Sequence, residues 1–407
     1  MTIVTSTAAG RAEVPALLAA AVAGDELAFR RLTAPYRREL LVHCYRMLGS
    51  LDDADDAVQE TLLKAWRGLA GFAGRSSVRA WLYRIATNTC LDALDHRARR
   101  ILPPAIVGPA DPHRPPEPDD PELPWLQPYP DALLDVADPD PLADPAAAVV
   151  RREHIELAFV AAVQYLSPKQ RAVLLLREVL GFSAGETAGM LATTLASVNS
   201  ALQRARATLQ NRLPAGDGVP TPAEQADLVA RYVRAWHAKD VPALVALLRE
   251  DAHLAMPPTP SWYQGGDNIG LYLRRLFASP WGVDLRLVPT GANRQPALAV
   301  YAPAGDSRGY RPFAVKVLTV HNGLIAAITG FVHPGLFDRF CLLPSLPVDL
   351  DVDTVGAGVE PAYGDLAATA TSPYDIPPAR SVTPARVAVS HLVVDGRIPS
   401  DHRDGRA

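Results

Sequence analysis

A proline-rich acidic segment divides the chain and sets the main limit on how it can fold. Residues 101–148 hold 14 of the 38 prolines and ten Asp or Glu residues against a single arginine, Arg114. Proline interrupts helices and sheets, and such a composition favours extended chain over a packed core. We therefore expect the 407 residues to form several domains, with this segment as a linker between them.

The segments on either side differ in character. We predict a helical domain, the acidic linker, a second helical domain, a short linker, an α+β domain and a mostly disordered tail with one short strand at about Val387–Val394. Their ranges are, in that order, 1–100, 101–148, 149–213, 214–220, 221–346 and 347–407.

Composition narrows the class of protein further. The 48% hydrophobic and 21% charged fractions are those of globular domains, and no apolar run approaches the roughly 18 residues of a membrane span. Cys44, Cys90 and Cys341 are too far apart in sequence for a CxxC metal or redox pair. We expect a cytoplasmic protein without a membrane segment, a metal or a cofactor.

One helix of the first domain has two distinct stripes. Val58, Leu62 and Ala65 have the spacing of a core face, whereas Asp53, Asp56 and Glu60 form an acidic stripe. Taken alone, the acidic stripe fits either a solvated face or a protein-binding face.

The next stretch has the composition of a nucleic-acid-binding surface. Residues 72–100 contain six arginines and two aspartates. Arg79, Trp81, Arg84 and Asn88 lie beside the predicted buried stripe of this helix. Guanidinium groups bind phosphates and an aromatic face can hold an unstacked base, so the pattern suits DNA that is being opened, although a tryptophan is more often core.

The second helical domain predicts a helix-turn-helix. Ser167 and Ser183 each begin a capping box, a turn follows around residues 192–194, and a longer helix runs from Leu195 to Leu213. Between residues 193 and 213 the chain has arginines but no acid. A recognition helix presents its N-terminal residues to base edges and uses arginines on phosphates.

These strings together resemble a known family. Asp52–Thr61, Lys64–Trp66 and Trp81–Asn88 are similar to the second conserved domain of the extracytoplasmic-function (ECF) sigma factors of bacterial RNA polymerase. Leu166–Arg171 and Ser197–Arg206 are similar to the fourth domain of that family, in the same order. The resemblance covers about half of the chain.

The resemblance implies two partners, the RNA polymerase core enzyme and promoter DNA with its −10 and −35 elements. It assigns core-polymerase binding to four residues of the acidic helix, namely Asp53, Asp56, Gln59 and Glu60. It assigns DNA binding to five residues near the −10 element and five near the −35 element, namely Arg75, Arg79, Trp81, Arg84 and Asn88, then Ser197, Asn199, Ser200, Arg204 and Arg206. It implies no catalytic residues.

Three features depart from the family pattern. Ala192 stands where the helix-turn-helix usually has glycine, and neither Asn199 nor Ala201 is basic. The linker is also longer than is common in the family and has an excess of nine negative charges. We therefore hypothesise that it threads the polymerase channel that nucleic acid otherwise occupies.

The third domain mixes helices and strands. Thr221 begins a capping box, a second helix runs from Asp240 to about Glu250, and a third covers Asn268–Phe277. Four strands follow, the last two joined by a hairpin at Asn322-Gly323. This order resembles the SnoaL-like branch of the nuclear-transport-factor-2 (NTF2) fold, a cone that encloses an apolar pocket.

The cone suggests ligand-binding residues but no catalytic set. Five residues could line a ligand pocket, although core packing is the usual role of each, namely Met256, Trp262, Tyr263, Trp281 and Phe313. Asp251, His253, Asp267 and His333 are the acid–base candidates, and their spacing assembles no nucleophile, base and orienter.

The fold class expected is therefore multidomain, with two all-α sigma domains, the second a helix-turn-helix, and an α+β NTF2/SnoaL-like cone domain. The expected function is a sigma factor regulated by its fused C-terminal domain, without enzyme activity. One alternative is an isomerase or cyclase in the C-terminal domain with a DNA-binding sensor half. A conventional repressor is disfavoured because carboxylates beside DNA bring it no benefit.

Overall fold

The structure is a computed structural model that describes most of residues 6–347. The described ranges are 6–134 without 73, 75 and 121, then 155–210, 212, 221–279, 284–304 and 309–347. All of them belong to one compact unit, residues 1–357. Several predicted features lie outside the described residues, namely Arg75, Trp281, the short linker at 214–220, the tail beyond 347 and the strand at 387–394.

Five helices form the first domain. They are α1 Ser6–Val22, α2 Glu26–Thr33, α3 Arg37–Leu48, α4 Leu51–Gly68 and α5 Val78–Leu94. Helix α3 ends at Gly49, whose φ of 72° favours glycine. A Cβ atom on Gly49 would lie 2.8 Å from Leu126 of the linker. The absence of a side chain at Gly49 therefore leaves room for Leu126 to pack against the end of α3.

The linker contributes to the core, and the prediction that it is extended and cannot pack is wrong for residues 123–134, the last part of it that the structure describes. Leu126 and Tyr129 are 1% and 0% exposed. The Tyr129 ring lies 4.8 Å from the ring of Tyr45 on α3, and the Gln127 side chain accepts a hydrogen bond of 2.8 Å from the Leu51 amide. Three large apolar side chains lie close together at Trp125, Leu126 and Tyr129, and the average composition of the acidic segment conceals them.

The second domain contains four helices in the described part of the chain. They are α6 Leu157–Val163, α7 Pro168–Leu174 with a π-helical turn Leu175–Val179, α8 Ala184–Met190 and α9 Leu195–Gln210. The capping boxes predicted at Ser167 and Ser183 are both present. Ala192, in the turn before α9, has a φ of 47°, the conformation in which glycine carries no strain.

The third domain is a six-stranded sheet with helices. The helices are α10 Pro222–His237, α11 Val241–Ala246, α12 Gly266–Ala278 and α13 Leu336–Arg339. The strands are β1 Leu248–Ala255, β2 Trp262–Gln264, β3 Arg286–Ala292, β4 Gln295–Pro303, β5 Tyr310–His321 and β6 Leu324–Phe331.

The strand order is β2-β1-β6-β5-β4-β3, with β1 parallel to β6 and every other pair antiparallel. The predicted hairpin between β5 and β6 is confirmed, with Asn322 and Gly323 both at positive φ. A second hairpin joins β3 to β4 through Asn293 and Arg294, whose φ values are 57° and 58°.

The helix predicted from Asp240 to Glu250 is wrong at its C-terminal end. Helix α11 stops at Ala246, and strand β1 begins at Leu248. Strands β1 and β2 are not predicted from the sequence. In β1, the charged residues at positions 249–251 interrupt the alternation of apolar and polar residues, and β2 is only three residues long. Both strands are held by tertiary pairing that a local pattern does not report.

The two faces of the sheet have different partners. Leu298, Leu318 and Ile328 face the helices of the third domain itself. Ala299 and Val317 belong to a core that continues into both helical domains. The sheet therefore packs between its own helices and the first two domains.

Candidate nucleic-acid interface

The acidic helix α4 is oriented by its N-cap. The Ser50 hydroxyl accepts a hydrogen bond of 3.2 Å from the Asp53 amide, which starts the helix and places Asp52 and Asp53 in its first turn. Carboxylates there complement the positive end of the helix dipole. Asp56 and Gln59 are exposed, and burial together with the neighbouring Asp53 raises the pKa of Asp56.

Two of the predicted core-binding residues already have partners within the chain. Asp53 is bound by both Arg97 and Arg100, and its side chain is only 14% exposed. Glu60 lies 3.7 Å from Lys64, one helical turn further along α4. Asp56 and Gln59 are therefore the more accessible members of the set.

Asp52 and Asp55 of the same helix are functional candidates that the sequence analysis missed. The Arg339 guanidinium of α13 donates to Asp52 over 2.8 Å and to Asp55 over 2.6 Å. Burial opposes ionisation of Asp52, but hydrogen bonds from Gln127 and Arg339 offset it, so the pKa of Asp52 is lowered. A partner 284 residues away leaves no signal in a local sequence pattern.

The predicted −10 residues on α5 differ in accessibility. Arg84 is exposed, while Trp81 and Asn88 are half-buried, and the Trp81 ring lies 4.9 Å from that of Phe72. Arg79 is engaged by the protein itself, because its Nε donates to Glu39 over 3.0 Å. Arg75 is outside the described residues.

Arg79 also joins the two helical domains. Its guanidinium carbon lies 4.8 Å from the centre of the Tyr83 ring and 5.4 Å from the centre of the Phe182 ring, which precedes α8. The two rings lie 5.6 Å apart. The surface predicted to open the −10 element therefore contacts the domain predicted to read the −35 element.

The predicted −35 residues lie on α9. Ser197 and Asn199 are exposed near its N-terminus, where a recognition helix meets base edges. Arg204 donates to the Ser200 hydroxyl over 2.6 Å. Arg206 forms an ion pair of 2.6 Å with Glu178, so its charge is partly neutralised within the chain.

The pocket residues predicted for the cone make contacts with the domain core and with the linker. Tyr263 stacks on Tyr272 with ring centres 4.7 Å apart, and the Tyr272 hydroxyl contacts the Met256 sulfur at 3.3 Å. Trp262 donates to the Val107 carbonyl of the linker, and Phe313 is half-buried on β5. Core and linker contacts thus account for Met256, Trp262 and Tyr263.

The four acid–base candidates do not converge on one site among the described residues. Asp251 is bound by Arg249 at 2.9 Å, and Asp267 and His333 are exposed. His253 lies against Trp262, and burial lowers its pKa. No group of three or more metal-ligating side chains occurs in the part of the chain that the structure describes.

Comparison with known proteins identifies the domains. Three family models match, described as Sigma-70 region 2 over residues 32–100, Sigma-70 region 4 over residues 156–209 and SnoaL-like domain over residues 229–328. The chain is 47% identical over 321 residues to the ECF RNA polymerase sigma factor SigG of Mycobacterium tuberculosis, which covers 78% of this chain and 85% of SigG. The chain belongs to the ECF sigma factors.

A second relative is consistent with this assignment. The ECF sigma factor SigJ of Mycobacterium tuberculosis is 28% identical over 318 residues, with 74% of this chain and 90% of SigJ covered. The crystal structure of SigJ matches with a TM-score of 0.50 at 23% identity and covers 75% of this chain and 97% of that chain, a likeness of fold.

As an ECF sigma factor, the protein directs RNA polymerase core to promoters for transcription initiation. The predicted fold class is confirmed, with helical sigma domains followed by an α+β SnoaL-like domain. Among its described helices, none is long and apolar enough to cross a bilayer.

Proposed function

We propose that this sigma factor is held in a closed state by its own SnoaL-like domain until it meets polymerase. The observation that carries the proposal is that the Arg339 guanidinium donates to two carboxylates of α4, to Asp52 over 2.8 Å and to Asp55 over 2.6 Å. It covers one edge of the helix α4 on which the core-binding residues are predicted. The fused domain would thereby do the work of a separate anti-sigma protein.

The packing between sigma domains two and four supports the same proposal. The −10 and −35 elements are centred about 25 base pairs apart, or about 85 Å at a rise of 3.4 Å per base pair. In the closed state Tyr83 of domain two touches Phe182 of domain four. The two domains must therefore separate before both elements can be bound.

The DNA-binding and core-binding residues named above remain predictions, and one of them, Arg79, has a partner in the other sigma domain that opening would release. Arg79 would leave Phe182 when the domains part, which would expose the face of its guanidinium to DNA phosphate while its Nε keeps the bond to Glu39. We also propose that the acidic linker enters the polymerase channel once its apolar anchors, Leu126 and Tyr129, are withdrawn from the core.

We infer that the SnoaL-like domain is regulatory and not catalytic, and that the protein acts in the cytoplasm, where RNA polymerase and promoter DNA are found. The acid–base candidates that converge on no site among the described residues support this. Turnover of any small substrate by the purified protein would contradict the inference.

The core-binding assignment is tested by charge reversal. Asp56→Arg with Glu60→Arg should abolish binding to core polymerase, because reversing charges in an interface commonly costs several kcal/mol. Both positions lie outside the core, so the melting temperature should change little. Co-purification of the double variant with core polymerase, together with normal run-off transcription, would refute the assignment.

A further inference from the structure

A cleft of about 570 Å³ lies between α10, the β3–β4 hairpin and the linker. Its size falls within the range of about 300–1,000 Å³ typical of small-molecule pockets. Of the five pocket residues predicted from the sequence, the four that the structure describes do not line it, namely Met256, Trp262, Tyr263 and Phe313. It is thus a separate site from the interior of the cone.

The cleft has an apolar floor and a cationic rim. Ala226, Val229 and Val233 of α10 face Pro289 and Pro296 of the hairpin. Among the described residues that line it, two guanidinium groups, those of Arg234 and Arg294, outnumber one carboxylate, that of Asp131, so these residues carry a net positive charge. A pocket of this kind suits a ligand with an apolar body and a single negative charge.

The same hairpin docks the SnoaL-like domain on the sigma domains. Asn293 at its tip donates to the Tyr45 hydroxyl over 2.9 Å and to the Ile155 carbonyl over 2.8 Å, and accepts from the Tyr129 amide over 2.8 Å. One side chain therefore contacts sigma domain two, the linker and the chain just before α6.

Asp131 both lines the cleft and contacts the docked hairpin. Its Oδ1 accepts a hydrogen bond of 2.7 Å from the Arg294 amide, and a Cβ on Gly291 would lie 2.6 Å from its Oδ2. Asp131 belongs to the linker, so it leaves the cleft when the hairpin undocks. An anion in the cleft is repelled by Asp131 only while the hairpin is docked.

We propose that this cleft binds a small apolar monoanion, and that the bound anion favours the undocked hairpin and so opens the sigma factor. A ligand shifts such an equilibrium only by its difference in affinity for the two states, and the charge of Asp131 supplies that difference. The regulatory half of the inference rests on the proposed closed state. The binding half does not.

Binding is tested on the full-length protein with 8-anilinonaphthalene-1-sulfonate and its uncharged analogue N-phenyl-1-naphthylamine, both followed by fluorescence. Arg234→Gln should weaken binding of the sulfonate about tenfold and leave the uncharged probe unchanged. Arg231→Gln is the matched control, because Arg231 is exposed on the same helix but does not line the cleft.

Two further variants keep the test decisive. Ala230→Trp should fill the cleft and remove saturable binding of both probes. Asp131→Asn keeps an oxygen acceptor for the Arg294 amide but removes the charge, and should tighten sulfonate binding about threefold. Equal sulfonate affinity in the wild type, Arg234→Gln and Ala230→Trp would overturn the site.

Coupling is read by hydrogen exchange of the hairpin. Saturating sulfonate should speed exchange of amides 291–295 in the wild type, and the effect should be absent in Ala230→Trp. Binding without faster exchange would overturn the coupling. Neither measurement involves polymerase, so failure here is distinguishable from failure of the closed-state proposal, which transcription and polymerase binding report.

Discussion

At the scale of single residues, Arg339 carries the contact between the SnoaL-like domain and the helix predicted to bind polymerase. Burial opposes its charge, but hydrogen bonds with Asp52 and Asp55 raise the pKa of Arg339. Its side chain is 35% exposed, so water screens the two contacts and their worth is modest. A weak contact is what the proposed closed state requires, because polymerase must displace the SnoaL-like domain from α4.

Arg339→Ala should increase the affinity of the sigma factor for core polymerase about threefold to tenfold, because it frees Asp52 and Asp55 without cost to the core. Fluorescence anisotropy with labelled sigma factor measures this. Arg311→Ala, an exposed arginine of the same domain, is the control and should leave affinity unchanged. Identical affinities for both variants would remove Arg339 from the account.

Lys316 is a second residue whose surroundings set its chemistry. It is 7% exposed, its Nζ lies 3.7 Å from the centre of the Trp236 ring, and it donates to the Tyr232 hydroxyl over 3.3 Å. The ring attracts the ammonium, but burial dominates and lowers the pKa of Lys316 to about 7.

The lowered pKa of Lys316 predicts a pH-dependent stability. Below pH 7 both the folded and unfolded states carry the proton and the penalty of the buried charge is complete, on the order of 5 kcal/mol for a pKa lowered from 10.5 to about 7. It disappears as pH rises from the folded pKa to the unfolded value of 10.5. The stability advantage of Lys316→Met over the wild type should therefore shrink between pH 7 and 9.5. A constant difference in urea unfolding would contradict this.

At the scale of elements, the β3–β4 hairpin connects the SnoaL-like domain with sigma domain two, the linker and the start of α6. Two adjacent residues at positive φ, Asn293 and Arg294, make its tight turn. Besides the Asn293 contacts, the Gln295 side chain accepts a hydrogen bond of 2.8 Å from the Leu157 amide at the start of α6. The hairpin thus fixes the relation of the domains.

Asn293→Gly should undock the hairpin while keeping its turn, because glycine adopts positive φ freely but cannot bond Tyr45, Ile155 and Tyr129. Each buried group left unpaired costs about 1–3 kcal/mol. We expect higher run-off transcription at limiting sigma concentration. Asn322→Gly in the exposed β5–β6 hairpin is the matched control, and equal output from the two variants would refute the role of Asn293.

Local chemistry made some elements predictable and left others hidden. The capping boxes at Ser167, Ser183 and Thr221 and the hairpin at Asn322-Gly323 depend on neighbouring residues, and the sequence located all four. The hairpin at Asn293 lacks the glycine that marks such turns. The burial of Tyr129 and the Arg339 contact depend on residues far away in sequence, which no periodicity records.

At the scale of the whole molecule, the sigma domains, the linker and one face of the SnoaL-like sheet share one core. Buried polar groups connect sigma domains two and four. For example, Arg171 of α7 donates a hydrogen bond to the Met47 carbonyl of α3. Burial lowers the pKa of Arg171 to about 10, which leaves it charged at neutral pH. Opening must rehydrate such groups, so polymerase or a ligand has to supply free energy for it.

The distance between sigma domains two and four tests the closed state most directly. Spin labels at Ala70→Cys and Lys169→Cys, both exposed, can be placed in a Cys341→Ser background, since Cys44 and Cys90 are buried. Electron–electron double resonance should give a single short distance in the free protein, and one lengthened by several tens of ångströms in the promoter complex with polymerase. A long distance in the free protein, or a short one that persists in the promoter complex, would contradict the account.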